Sequence, residues 1–306
     1  MRYAPVPDRS AIRSIVRSAV CPAGSTSSAR VLRATTALGA TAAVAYAAPS
    51  VATLRHLRTR VVPVLAGVGA PDHVALTFDD GPDPASTPLF LDVLTELDIR
   101  ATFFVLGTMV ERAPELAQRM AEAGHELAVH AWDHRPMLLR GPLSTYRQLK
   151  RTRDLITAVT GQEPRFARPP HGILSAGFLF AASRLHLTPV LWTAWGRDWT
   201  ATATPLSVLD TLAPDLRGGG TIVLHDCDCT SAPQAWRSAL GALPELAARC
   251  HDLGLRLGPL AEHGLGASWS PGDSGVDQGV GPARARGADR APRRGCRWSQ
   301  ASGYSE

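Results

Sequence analysis

Lysine is nearly missing from this chain: Lys150 is the single lysine among 32 basic residues. Together with heavy use of Ala, Gly and Pro, this bias points to a GC-rich coding sequence, so a run of Arg carries little functional weight by itself. Cysteine is scarce as well. Cys21, Cys227, Cys229, Cys250 and Cys296 are few and odd in number, so no disulfide framework is implied, and no Cys-x-x-Cys zinc spacing occurs. No internal repeat is present, which argues against a solenoid. The formal charge of +5 does not belong to the body of the chain. Residues 1–60 carry +8 and residues 266–306 carry +2, leaving −5 for residues 61–265. A mildly acidic body argues against nucleic acid as a partner.

Residues 1–34 hold scattered Arg with Ser, Pro and Gly and read as a disordered basic arm. Residues 35–54 are free of charge and rich in Ala. They approach the length of a bilayer span but lack its Leu, Ile and Phe density, and Pro49 interrupts them. Three readings stay open: an export signal, with Ala45-Tyr46-Ala47 resembling a small-x-small cleavage site, a membrane anchor, or a surface helix of a cytoplasmic protein. Six Arg before the segment against three after it favour the first two, and hence a cell-envelope or secreted location. Arg55, Arg58 and Arg60, directly behind it, weigh the other way. Residues 55–71 read as a linker, 72–263 as the main folded domain, and 264–306, rich in Gly, Ser, Pro and Arg, as a disordered tail. A monomer is expected.

From about residue 70, apolar runs alternate with amphipathic stretches. Strands are expected at His73–Phe78, Ala101–Leu106, Glu126–His130, Arg165–Ala167, Thr188–Trp192, Thr221–Leu224 and Leu255–Leu257. Helices are expected between them, the first capped by Thr87 with Pro88 at its first helical position and the third stopped by Gly161. Such alternation means parallel strands with helices outside, and seven strands favour an α/β barrel or a barrel missing a unit.

In parallel α/β folds the working residues gather at the carboxyl ends of the strands. Asp79 and Asp80 end the first expected strand, in Thr77-Phe78-Asp79-Asp80-Gly81-Pro82. Alone, that segment is as readily a polar turn as a site. His130 ends the third strand, with His134 four residues on; Arg168 follows the fourth, Asp198 and Trp199 lie after the fifth, and His225 ends the sixth. Two histidines and a carboxylate form a ligand set for a divalent ion that keeps open positions, with Asp133 a competing ligand. Such an ion activates water. Asp79, beside the ligand Asp80, is placed to take the water's proton, and neighbouring side chains on an extended strand point apart, as two tasks require. His225 is placed to return a proton to a leaving group, with Asp198 holding its ring. Arg168 reads equally as a structural salt bridge.

Five segments resemble, in order and spacing, the motifs of polysaccharide deacetylases, the NodB-homology group or carbohydrate esterase family 4. They are Thr77–Pro82, His130-x3-His134, Arg168-Pro169-Pro170-His171-Gly172, Asp198-Trp199 and Ile222-Val223-Leu224-His225. The resemblance covers about residues 72–260 and implies a distorted (β/α) barrel that binds one Zn²⁺, with Co²⁺ or a similar ion as the alternative. It implies Asp80, His130 and His134 as ligands, Asp79 as base, His225 as acid, Asp198 orienting it, and Arg168 against Asp79. The His171 backbone N–H would meet the oxyanion, and Trp199 and Pro169 would shape the sugar groove. The implied activity is removal of acetyl groups from N-acetylated polymers such as peptidoglycan or chitin-like chains. O-deacetylation of xylan, another amide hydrolysis, or sugar binding with little turnover are the rivals. The chain departs from the family pattern at His171, where Tyr is common, and at Trp195, where an acid often stands. It also departs at Asp133, and Cys227-Asp228-Cys229 follows His225 with both thiols expected free.

Overall fold

The computed structural model of the chain describes residues 25–265. Of the arm expected over 1–34, residues 1–24 lie outside that range, and of the tail expected over 264–306, all but its first two residues do. Residues 25–34 are helical, as part of α1 (Ser25–Ala47), which is followed by a 3₁₀ turn over Ala48–Thr53. Arg30–Thr53 is, by length and composition, apolar enough to cross a membrane, and its residues are not buried against the rest of the protein. The stretch read as a linker folds instead into α2 (Arg55–Val61) and α3 (Pro63–Ala66). Little in the apolar pattern marks this, because only Leu65 and Ala66 among the apolar residues of these helices pack inward and much of the segment's hold comes from polar bonds. The Arg58 guanidinium donates to the carbonyls of Ala52, Thr53 and Trp192, and Leu191 N–H donates to Leu65 O at 2.8 Å.

The strands and helices that follow are β1 (His73–Asp79), α4 (Thr87–Glu96), β2 (Thr102–Val105), α5 (Gly107–Arg112), α6 (Pro114–Glu122), β3 (Glu126–Val129), α7 (Pro142–Thr160), β4 (Phe166–Ala167), α8 (Ala176–Arg184), β5 (Thr188–Pro189), β6 (Ala194–Trp195), α9 (Pro205–Leu212), β7 (Thr221–His225), α10 (Trp236–Asp252) and β8 (Arg256–Gly258). All strand pairings are parallel, in the order β5-β4-β3-β2-β1-β7-β6, with β8 on the first half of β1. This is the distorted (β/α) barrel that the motifs implied.

The expected strand Thr188–Trp192 shortens to β5 (Thr188–Pro189), and β6 (Ala194–Trp195) forms beyond its expected end, because the chain here crosses from one edge of the sheet to the other. The segment leaves β4, where Val190 N–H donates to Ala167 O at 2.9 Å, and reaches β7, where Thr193 N–H donates to Thr221 O at 2.9 Å. Between these points Val190 and Leu191 offer their carbonyls to Arg168, at 3.1 and 2.9 Å. The carbonyls of Val190, Leu191, Trp192 and Thr193 all accept from arginine side chains instead of from a strand ladder.

The two faces of the sheet differ. Outward residues of β1, Leu76 and Phe78, join the large core under the helices, where Phe78 meets Phe90 and Phe103 at ring distances of 5.2 and 4.9 Å. Truncating Phe78 to Ala costs about 3–5 kcal/mol there. The inner cluster is small: Ala75, Phe104, Ala128, Phe166, Val190 and Leu260. Its carboxyl end is polar, since Thr77 and Asp79 share the inner face of β1 at the two-residue strand period. The cap expected of Thr87 is not made. Ser86 occupies the N-cap, and the Thr87 hydroxyl donates to Asp226, tying α4 to the strand-end loop after β7.

Candidate active site

The sheet order brings the strand ends together. Asp79 and His225 are register partners across β1 and β7, His130 follows β3, Arg168 follows β4 and Asp198 follows β6. Arg168, fully buried, fills the inner space and organises it. Its Nη1 donates to Asp79 Oδ1 at 2.6 Å and to Thr77 Oγ1 at 2.8 Å, and its guanidinium lies 3.9 Å from the Phe104 ring centre. Its own carbonyl accepts a hydrogen bond from His130 Nδ1 at 3.0 Å, which leaves His130 Nε2 as the free lone pair.

Asp80 does not share the extended geometry of Asp79. Its φ is 83°, so the chain turns at once and carries its carboxylate away from Asp79. This left-handed conformation, and not strand alternation, separates the two acids, at a backbone cost of about 1–3 kcal/mol. Asp80 Oδ1 is fully buried without a hydrogen bond and stands 3.3 Å from both His130 Nε2 and His134 Nε2. Asp80 Oδ2 is held by the Thr230 hydroxyl. The three ligand atoms lie within 4.8 Å of one another. An orphaned buried oxygen facing two imidazole nitrogens fits a divalent cation. Burial favours a neutral carboxyl, but the nearness of His130 first, then His225 and His134, holds Asp80 below the ordinary carboxylate range. Burial lowers His134 to about 4, so it is neutral and able to coordinate at pH 7. Asp133, the competing ligand, is engaged by Arg140 at 2.6 and 2.9 Å and is not in this cluster.

Across the rim, His225 Nδ1 lies 2.9 Å from Asp198 Oδ1, and His225 N–H donates to Asp198 Oδ2 at 2.6 Å. Burial opposes a charge on this ring, but Asp198, aided by Asp80 and Asp79, raises His225 to about 10. A cleft of about 240 Å³ joins the two corners, lined among others by Asp79, His130, His134, His171, Trp199 and His225. His171, at φ 59°, packs edge-on against the His134 ring at 4.3 Å. Pro169 is buried and does not line the cleft; Trp192 and Trp195 do. Trp195 stacks on Trp199 at 4.4 Å.

Three residues of the site escape sequence reasoning. Thr230 holds Asp80, and Asp226 accepts from Gly81 N–H at 3.2 Å and from Thr87, bracing the Asp-Asp-Gly turn from behind. Burial raises Asp226 to about 7. Its one signal is its place next to His225, on the opposite face of the strand end. Trp195 is visible only as a departure from pattern. The Cys227 and Cys229 sulfurs are free and 3.1 Å apart, with Cys229 3.7 Å from the Asp80 carbonyl.

A parallel barrel with polar residues from five strand ends converging on one cleft belongs to the α/β proteins that work at their carboxyl rim. The polysaccharide deacetylase family profile matches residues 66–190. The chain is 36% identical over 216 residues to a chitooligosaccharide deacetylase of Sinorhizobium fredii, an alignment covering 69% of this chain and 98% of the relative. Among solved structures it is similar to peptidoglycan deacetylase PdaC from Bacillus subtilis, with 31% identity and TM-score 0.54 over 62% of this chain and 89% of that one. It is also similar to a family 4 carbohydrate esterase from Streptomyces lividans, with 28% identity and TM-score 0.55 over 62% of this chain and 93% of that one. The chain belongs to the polysaccharide deacetylase family, a group of hydrolases.

Proposed function

We propose that this chain removes acetyl groups from N-acetylated sugar polymers of the peptidoglycan or chitin-like kind, using a divalent ion held by Asp80, His130 and His134. The observation that carries the reading is the buried, unpartnered Asp80 Oδ1 facing two histidine nitrogens, with Asp79 next to it and not part of that cluster. The ion, Zn²⁺ first and Co²⁺ second, supplies a Lewis acid that makes bound water acidic and polarises the acetyl carbonyl.

Asp79, oriented by Arg168, takes a proton from water as the water oxygen bonds to the acetyl carbon. The His171 backbone N–H would stabilise the oxygen on which charge develops. The C–N bond then breaks, with His225 giving its proton to the departing amine, so acetate and a free amino sugar leave. Asp198 holds the His225 ring and favours its charged form. Trp199 offers a flat apolar face to a pyranose ring. Residues 72–263 form the catalytic unit in this reading, and the apolar helix ending near Thr53 supports a cell-envelope location as export signal or anchor.

Acetate release from N-acetylglucosamine oligomers, peptidoglycan fragments and acetylated xylan, with and without added Zn²⁺, tests the proposal. Asp79→Ala should lower turnover roughly 10²–10⁴-fold while bound metal is kept; His134→Ala should lose the metal. Full activity in both variants refutes the roles. Glycan binding without acetate release would make the chain a sugar-binding member of the family.

A further inference from the structure

Beside the cleft lies a second cavity, of about 440 Å³, which shares His171, Gly172, Trp192 and Trp195 with it. Its far wall carries Arg55, Arg58 and Arg197 against a single carboxylate, Asp215. That carboxylate is already paired with Arg55. Arg58 is 4% exposed, bonds only to carbonyl oxygens, and leaves its Nε without a partner. Arg197 makes no ion pair among the described residues. Burial, followed by the nearness of Arg168 and Arg55, lowers the Arg58 guanidinium to about 10. Positive charge is therefore in excess here, in a concave and partly dry place, which concentrates anions. The planar donor fork of Arg matches a carboxylate in particular.

The two cavities share a floor. Trp199 stacks on Trp195, and Trp195 meets Trp192 at 5.5 Å, so an aromatic shelf runs from the His225 corner to the arginines. Flat apolar faces suit successive sugar rings. Arg55 and Arg58 precede residue 66, where the family profile begins, so two of the three arginines of this wall come from the segment that the sequence reads as a linker.

We propose that this cavity is a subsite for a carboxylate carried near the sugar next to the one that loses its acetyl group, which makes the substrate an acidic N-acetylated glycan. The proposal rests on the deacetylase reading of the cleft. A carboxylate of this kind comes either from an acidic ether substituent on the sugar itself or from a peptide attached to it.

The test compares three oligosaccharides of equal length with the metal-loaded full chain: a neutral N-acetylglucosamine oligomer, one with free lactyl-ether carboxylates, and one whose lactyl groups are amidated by a short peptide. The ratio of kcat/KM, acidic over neutral, is expected to be about tenfold or more at low salt, as charge-assisted pairing supplies. It should shrink as salt rises towards 1 M and screening shortens to about 3 Å. Whichever acidic oligomer shows the larger ratio identifies the source of the carboxylate. In Arg197→Ala the ratio is expected to collapse towards one through KM, and Arg197→Lys should restore part of it. A ratio of one in the unmodified protein, or a ratio untouched by Arg197→Ala, overturns the proposal and leaves the deacetylase reading standing. Calorimetric binding of the same three glycans reads the preference without turnover. A chain that binds acidic glycans preferentially but releases no acetate therefore fails the first reading and keeps this one.

Discussion

At one corner of the rim, Asp80, His130 and His134 bring three ligand atoms together and leave Asp80 Oδ1 with no hydrogen bond. At the other corner, His225 and Asp198 meet through two hydrogen bonds, one from the ring and one from the backbone. In the proposed reading the first arrangement takes a cation, whereas the second satisfies its own polar groups. The supports differ in the same way. The ligand corner leans on a left-handed Asp80 braced by Asp226 and Thr230, whereas the histidine corner sits on the regular ladder between β1 and β7. Arg168 reaches only the first, binding Asp79 by its side chain and orienting His130 by its carbonyl. Under the proposed mechanism this arrangement separates activation of the nucleophile from protonation of the leaving group, so each should be open to damage alone.

Metal removal should break the comparison most severely. Chelation is expected to abolish acetate release and to lower Tm by on the order of 10 °C relative to protein with ion in large excess over Kd, because binding to the folded state alone stabilises by mass action. Readdition of Zn²⁺ should restore both. Calorimetry that finds the same Tm with and without chelator would refute the ligand corner. Next in size is His225→Ala, expected to reduce kcat roughly 10²–10⁴-fold with the ion content unchanged. Metal analysis of the variant decides it, since a loss of ion would mean that the two corners are one unit.

Much of this contrast is legible in the sequence, for a definite reason. Asp79, His130, Arg168 and His225 each end or directly follow an apolar strand, and parallel α/β topology sends such ends to one rim. What pattern cannot carry is conformation at a single residue. The Asp79-Asp80 pair reads as two extended neighbours, yet the turn at Asp80 alone sets their separation. Thr87 has the identity and position of a cap, but a tertiary partner, Asp226, takes its hydroxyl. Residues 55–66 have few signals of burial because much of their hold is polar, Arg58 on carbonyl oxygens and Arg55 on Asp215, contacts without hydrophobic periodicity. The two-residue strand β6 is too short to show any period at all, and with it Trp195 was hidden as a wall of the cleft.

The smallest effect, and the one that sharpens the comparison most, belongs to Asp198→Asn. Burial alone would push His225 below its ordinary value, and the Asp198 carboxylate lifts it instead to about 10. An acid must be protonated to work, so turnover is expected to hold through neutral pH and to fall only as pH rises towards that value. Asn keeps the shape and a carbonyl acceptor but removes the charge, so the descending limb should move down by more than one pH unit. The stability effect has the same sign. Because the folded-state value exceeds the ordinary 6.5, His225 contributes its full stabilisation below about pH 6.5, and this contribution disappears as pH climbs to about 10. Asp198→Asn should therefore lower Tm at pH 6 and change it little at pH 10. Profiles of kcat and Tm against pH for the two proteins measure both effects. An unmoved descending limb would mean that some other group supplies the proton, and that the histidine corner is a structural brace.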